Sequence, residues 1–358
     1  MKIFQILKSF VFLILSLITI LKCFFNNKKK AQLVILKENS PNFIDLRIKI
    51  YQKQDNNNFV NFVRGQSFTK GIKIYFSINN VIFFNHIFNI LEYYKSFFGE
   101  KRKKIESDFI LLISKILHLI HIEKFYTIDD YRNIQIFSKA CKLSGSRLFI
   151  FQHGRISPNL RYQKTLKNLT FEKYFVWNNY FKKKLVKFDK KYSNKNIFIF
   201  NKFLSKNVYK NNFEKKEILI IEEDKVKKTV IIDLIKRIKR IKKTNIYFKF
   251  RPNNKVDKRL KKFLISNDVI CFHQENIYKL FKKFKINYLL ASNSSLLLES
   301  SYFFIFPILF YDKKPILKDY IDDKVVFPSK INNIKKVILK TNSQKKNLIK
   351  IRQKVWFK

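Results

Sequence analysis

EKFYTIDDYRNIQIFSKACKLSGSRLFIFQHGR, residues 123–155, sets one amphipathic segment between two apolar runs. Residues 123–130 read as a strand ending at Asp129 and Asp130, and 131–145 as a helix closed by Gly145, a residue free to take the left-handed turn that ends helices. Residues 146–154 read as a second strand. Strand, helix and strand in that order predict a βαβ unit and so a parallel sheet, whose ligands bind at the carboxyl ends of the strands. The second strand stops at Gln152, His153, Gly154 and Arg155. A neutral imidazole there can act as a general base near neutral pH, Gly154 lets a ligand approach the backbone, and Arg155 rims the corner.

Outward from this block the alternation continues. Residues 31–38 read as a buried strand, 43–52 and 59–64 as strand or short helix, 79–98 as a helix, and 107–121 as a helix with Ser107 as N-cap. Beyond residue 165, residues 173–185 read as a strand running into a helix, and strands are expected at 196–203, 217–224, 245–252, 268–272 and 286–291, with helices at 226–243, 257–265 and 276–284 between them. The basic, periodic tail from 331 to 357 reads as a terminal helix pair. A chain of 358 residues has room for two such domains, each with its own core. The expected division is 1–30, a hydrophobic and basic helix; 31–165 and 166–330, two α/β domains; and 331–358, a helical tail.

The formal charge is +49, from 75 Lys and Arg against 26 Asp and Glu, spread along the whole length. Such a field attracts anions, among them nucleotides, phosphorylated carriers and anionic membrane faces. Lys, Ile, Asn and Phe are enriched together, as AT-rich coding produces, so most of the excess reads as solvated surface. Neither a zinc-finger Cys/His pattern nor the aromatic signature of a strand-binding sheet is present, and no specific nucleic-acid partner is expected. The three cysteines, Cys23, Cys141 and Cys271, are scattered, which argues against a disulfide framework and for a reducing compartment.

The first thirty residues, MKIFQILKSFVFLILSLITILKCFFNNKKK, hold 13 uncharged residues from Ser9 to Leu21 between Lys8 and Lys22. That run is short for a spanning helix of roughly 20 residues. With Lys28, Lys29 and Lys30 behind it, the segment reads as an interfacial or shallowly inserted anchor against anionic lipid, at the cytoplasmic face of the inner membrane. The competing reading is a buried first helix of the N-terminal domain.

Four strand ends carry the candidate chemistry. Besides His153 with its neighbours, Arg251 leaves the strand of residues 245–252 and can hold a diphosphate bidentately. In ASNSSLLLES (291–300) the strand gives way to Ser294 and Ser295 and then to a helix containing Glu299; hydroxyls and unpaired amides at a helix start suit phosphate, while a stabilising capping box accounts for the same residues. The acidic ends, Asp129–Asp130 and Glu222–Glu223–Asp224, suit a base, a group that orients one, or simple caps, and neither forms a metal-binding DxD.

Taken in order, strand-His-Gly, strand-basic-Pro and strand-Ser-Ser-x-x-x-Glu resemble the two-domain GT-B glycosyltransferases of bacterial surface and capsular polysaccharide synthesis, across about residues 120–310. Related to them are the sialyl- and polysialyltransferases and the CDP-glycerol glycerophosphotransferases. The resemblance implies an α/β fold of two Rossmann-like domains facing a cleft, the first presenting the acceptor and the second binding the donor. It implies His153 as acceptor-activating base, with Asp130 a second catalytic candidate. Gln152, Gly154 and Arg155 would lie on the acceptor side, with Arg251, Ser294, Ser295 and Glu299 on the donor phosphates. Arg251 stands where the relatives have the histidine of His-Pro, so a permanent cation replaces a titratable one. No metal ion and no cofactor are expected; the partners are a nucleotide-sugar donor, a glycan or lipid-linked acceptor and an anionic membrane surface. Two other functions fit the same residues: transfer of a polyol phosphate from a CDP-linked donor, and non-catalytic polyanion binding.

Overall fold

The computed structural model describes residues 2–25, 31–36, 59–63, 68–78, 80–128, 134–152, 156, 169–188, 192–193, 195–200, 215–223, 226–251, 256–340 and 345–357. The expected element at 43–52 lies outside them, as do Asp130, His153, Gly154 and Arg155. The chain forms two compact units: Met1–His153 with Arg161–Phe175 and Tyr192–Phe198, and Gly154–Leu160 with Val176–Lys191 and Ile199–Lys358.

The first unit opens with helix α1 (Lys2–Phe25) and strands β1 (Ala31–Leu36) and β2 (Phe59–Val63). Helix α2 (Phe68–Ser77), the two-residue β3 (Val81–Ile82), α3 (Phe84–Phe97) and α4 (Arg102–Leu119) follow. Next come β4 (Ile122–Ile128), α5 (Ile134–Ser144), β5 (Arg147–Phe151), β6 (Lys173–Val176) and β7 (Ile197–Ile199), while α6 (Asn179–Phe188), between β6 and β7 in the chain, belongs to the second unit. The seven strands form one sheet in the order β3-β2-β1-β4-β5-β6-β7. The described residues between 122 and 151 form the βαβ unit their pattern predicts: β4 and β5 pair in parallel from Lys124 with Arg147 to Ile128 with Phe151. Gly145, with φ of +76°, ends α5.

Two expectations need correction here. The helix expected from residue 79 begins at Phe84, because Val81 and Ile82 pair with Asn61 and Phe62 as an edge strand. The helix expected from Ser107 begins at Arg102, so Ser107 lies inside it rather than capping it, and the basic run 101–104 forms its exposed first turn.

The second unit contains β8 (Lys216–Ile221), α7 (Lys228–Lys239), β9 (Thr244–Lys249), α8 (Lys258–Ile265), β10 (Ile270–Phe272), α9 (Ile277–Lys283) and β11 (Tyr288–Ala291). It continues with α10 (Leu296–Tyr302), β12 (Phe306–Tyr311), α11 (Lys318–Asp322), β13 (Phe327–Lys330), α12 (Ile334–Lys340) and α13 (Lys345–Arg352). Its sheet runs β10-β9-β8-β11-β12-β13, every neighbouring pair parallel. Parallel strands are covered on both faces and therefore read as unbroken apolar runs; Ile218, Ile220, Phe248, Leu290 and Ile308 are fully buried. Helix α7 adds Ile231, Leu234, Ile235 and Ile238, one helical stripe, to the same core. Asp257 caps α8 by accepting the Leu260 N–H at 2.8 Å, and Asn276 caps α9 by accepting that of Tyr278 at 2.9 Å. The tail is part of this unit: Ile334, Ile338 and Leu348 enter its core.

Candidate functional site

In the second sheet, strand order reverses between β8 and β11, the switch point at which open α/β sheets bind ligands outside the carboxyl ends of their strands. Sequence places polar residues at every exit there: Glu222 and Glu223 after β8, Arg251 after β9, and Ser292 to Ser295 after β11.

Because β8 lies between β9 and β11, its two glutamates reach opposite ways. One oxygen of Glu223 accepts the backbone N–H groups of Ser292 (3.0 Å) and Asn293 (2.9 Å), and the other accepts the Ser292 hydroxyl at 2.9 Å. Glu222 accepts the Arg251 N–H at 2.9 Å, on the β9 side. Backbone donors at strand ends would otherwise depend on water, so these carboxylates fix both neighbouring loops. Arg251 itself is exposed. Adjacent strands are about 4.8 Å apart, so the exits flanking β8 are separated by roughly 10 Å.

Ser294 and Ser295 are half-buried at the start of α10. The Ser294 hydroxyl accepts the Leu296 N–H at 3.2 Å, and the Ser295 hydroxyl donates to a Glu299 carboxylate oxygen at 3.0 Å. Glu299 is only 1% exposed, and its other oxygen accepts the Tyr278 hydroxyl. The reciprocal capping box is therefore not formed: Ser295 bonds the Glu299 side chain, and Ser294 supplies the local cap. Behind it, α10 is gripped from the tail, where Trp356 donates its indole N–H to Leu298 O (3.2 Å) and Ser301 Oγ (3.0 Å), and Arg352 donates to Tyr302 O (3.0 Å).

Lys249, the last residue of β9, is buried and donates to the carbonyls of Phe250 (3.1 Å) and His273 (2.6 Å). Burial lowers its pKa, and Glu275 and Glu222 oppose that shift. Sequence reasoning passed over Lys249 and Tyr278. A lone lysine in the apolar run NIYFKF was the available signal for the first; for the second there was none, since the partner of Tyr278 lies 21 residues away.

Arg251, Ser294, Ser295 and Glu299 thus share one end of one sheet. Gln152 is buried at the end of β5 in the first unit, its N–H donating to Phe175 O at 2.8 Å.

No protein-family profile matches the sequence, and no curated protein sequence does either. Solved structures match nearly the whole chain at low identity. Staphylococcus aureus MnaA in its UDP co-structure aligns with a TM-score of 0.60 at 9% identity, over 91% of each chain. The UDP-GlcNAc 2-epimerase of Neisseria meningitidis bound to UDP-GlcNAc gives 0.60 at 12%, over 90% of this chain and 94% of that one. A glycosyltransferase of Rickettsia africae gives 0.51 at 12%, over 92% and 93%. The fold is therefore the GT-B fold: two Rossmann-like α/β units, here with an apolar helix at the N-terminal end.

Proposed function

We propose that this chain is a nucleotide-sugar-dependent glycosyltransferase that extends a cell-envelope polysaccharide or lipid-linked glycan. The observation that carries the proposal is the switch-point cluster. Glu222 and Glu223 hold Arg251 on one side and Ser292 to Ser295 on the other, so a permanent cation and serine hydroxyls flank the exit of β8. UDP or UDP-GlcNAc accompanies two of the structures that share this fold. In the proposed reaction the donor's diphosphate lies over this exit, and Arg251 stabilises the negative charge that grows on it as the glycosidic bond breaks. His153, assigned from sequence, takes the proton of the acceptor hydroxyl, and Asp130 orients it.

A second reading, UDP-sugar epimerisation, is favoured by the likeness to the Neisseria UDP-GlcNAc 2-epimerase. Incubation with UDP-, CMP- and CDP-linked donors, followed by mass spectrometry of all products, separates the possibilities. Transfer yields free nucleotide and a glycan one sugar longer, whereas epimerisation yields an isomeric nucleotide sugar without acceptor. Polyol-phosphate transfer leaves a phosphodiester on the product. His153→Ala should lower the transfer rate by about a hundredfold or more while changing donor affinity by less than about twofold; unchanged transfer removes His153 from the mechanism.

A further inference from the structure

Helix α1 packs inward through a mixed polar and apolar edge and leaves an apolar face turned outward. The edge turned inward carries Ser9, Phe12, Ser16, Thr19 and Ile20, all buried. Ser9 Oγ lies 3.0 Å from His86 Nδ1, and Ser16 Oγ accepts the Phe83 N–H at 2.9 Å. The Phe12 ring stacks on His86 at 4.6 Å and meets Phe83 at 4.5 Å. The outer face is apolar without interruption from Phe10 to Leu21: Phe10, Val11, Ile14, Leu17, Ile18 and Leu21 are exposed. An exposed apolar stripe of this length marks a surface that something covers.

The two bonds fix direction as well as contact. Ser9 meets His86 and Ser16 meets Phe83, so α1 and α3 run antiparallel, and α3 continues past Ser9 toward the N-terminal end of α1. At that end of the pair α3 presents Tyr93, Tyr94 and Phe97, followed by its cap residue Phe98, and of these Phe97 is 79% exposed. Lys101 to Lys104 follow, all exposed. Aromatic rings beside basic residues are the composition of a membrane–water boundary.

We propose that α1 lies flat in the headgroup–acyl boundary of an anionic membrane leaflet, with Tyr93 to Phe98 as a second contact and Lys101 and Lys103 against lipid phosphates. The alternative of crossing the bilayer conflicts with the packing. An α1 stood upright through the roughly 30 Å hydrocarbon layer would carry the antiparallel α3 in beside it. The ionic cluster of Lys95 with Glu100 and Asp108 would go with it. A second copy of the chain is the poorer cover, since each brings +49 of the same sign. The inference is independent of the donor and reaction proposed above.

The test uses the full-length chain with Leu7→Trp, Ile14→Trp or Leu21→Trp, and vesicles of phosphatidylcholine with or without phosphatidylglycerol. Lipids brominated near the headgroup or near the bilayer centre quench tryptophan by depth, read against the parent chain with Trp177 and Trp356. All three positions should be quenched most by the shallow bromines, and Lys101→Gln with Lys103→Gln should weaken partition to anionic vesicles about twenty-fivefold, at roughly fivefold per charge. Deep quenching at position 14 with shallow quenching at 7 and 21 would mean a spanning helix and overturn the proposal. So would the absence of vesicle binding, with or without a stable oligomer by sedimentation.

Discussion

At the scale of single residues, two carboxylates define how the candidate site is held. Glu223 satisfies two backbone N–H groups and one hydroxyl of the loop after β11, and hydrogen bonds to a charged acceptor are each worth about 1.5–3 kcal/mol net. Partial exposure of the loop lowers the sum. Glu223→Ala should therefore reduce stability by about 2–3 kcal/mol and weaken nucleotide binding with it; Glu223→Gln, which keeps one acceptor oxygen, should cost about 1 kcal/mol. Urea denaturation followed by calorimetric titration with UDP checks both. Glu299 makes a different case. Buried, it accepts the hydroxyls of Tyr278 and Ser295, so Tyr278→Phe should destabilise the chain by about 1.5–3 kcal/mol through loss of one hydrogen bond to a buried carboxylate. Equal urea midpoints for the variant and the parent chain would refute that. Arg251, Ser294, Ser295 and Glu299 were legible in the sequence because each follows an apolar strand at a fixed offset. What Glu299 bonds was not, since Tyr278 reaches it only after α9 and α10 pack in the folded unit.

At the scale of elements, the docking of α1 rests on one histidine and one glycine. Burial, with help from the nearby Lys8, lowers the pKa of His86 to about 4. The unfolded chain, with an ordinary histidine pKa of about 6.5, binds more protons than the folded one between those values. Stability contributed by neutral His86 is thus complete above about pH 6.5, declines as the pH falls toward 4, and levels off below it, a loss of up to about 2–3 kcal/mol after solvent screening. Urea midpoints measured across this range should show the decline, and His86→Gln should flatten it. Gly71, on α2, makes room for Phe12: a Cβ there would come within 2.3 Å of the ring, which is itself buried against Phe83 and His86. Gly71→Ala should cost about 1–3 kcal/mol of overpacking, read as a lower thermal midpoint. Most elements of the second unit were legible because buried parallel strands and amphipathic helices differ in period, and because Asp257 and Asn276 mark helix starts. The misplaced starts of α3 and α4 have separate causes. A two-residue edge strand carries no period, and the exposed run Lys101 to Lys104 sustains a helical turn that no cap announces.

At the scale of the whole molecule, the fold separates a general property from a local one. Both units are Rossmann-like, and the charge of +49 is spread over all of the chain, so any polyanion is attracted regardless of what the strand ends recognise. Attraction of that kind depends on released counterions and falls steeply with salt, whereas a diphosphate held by Arg251 and hydroxyls at close range is screened much less. Binding of single-stranded DNA, heparin and UDP should therefore diverge as salt is raised from low to physiological strength. Affinity for DNA should drop by about three orders of magnitude, and affinity for UDP by less than about tenfold. The same titration on Arg251→Ala should leave the DNA curve nearly in place and weaken UDP at every salt concentration, because one charge in so many barely alters the field while the local contact is lost. Parallel collapse of all three ligands, with Arg251→Ala indistinguishable from the parent chain, would assign the binding to net charge alone and favour the polyanion-binding reading over the enzyme.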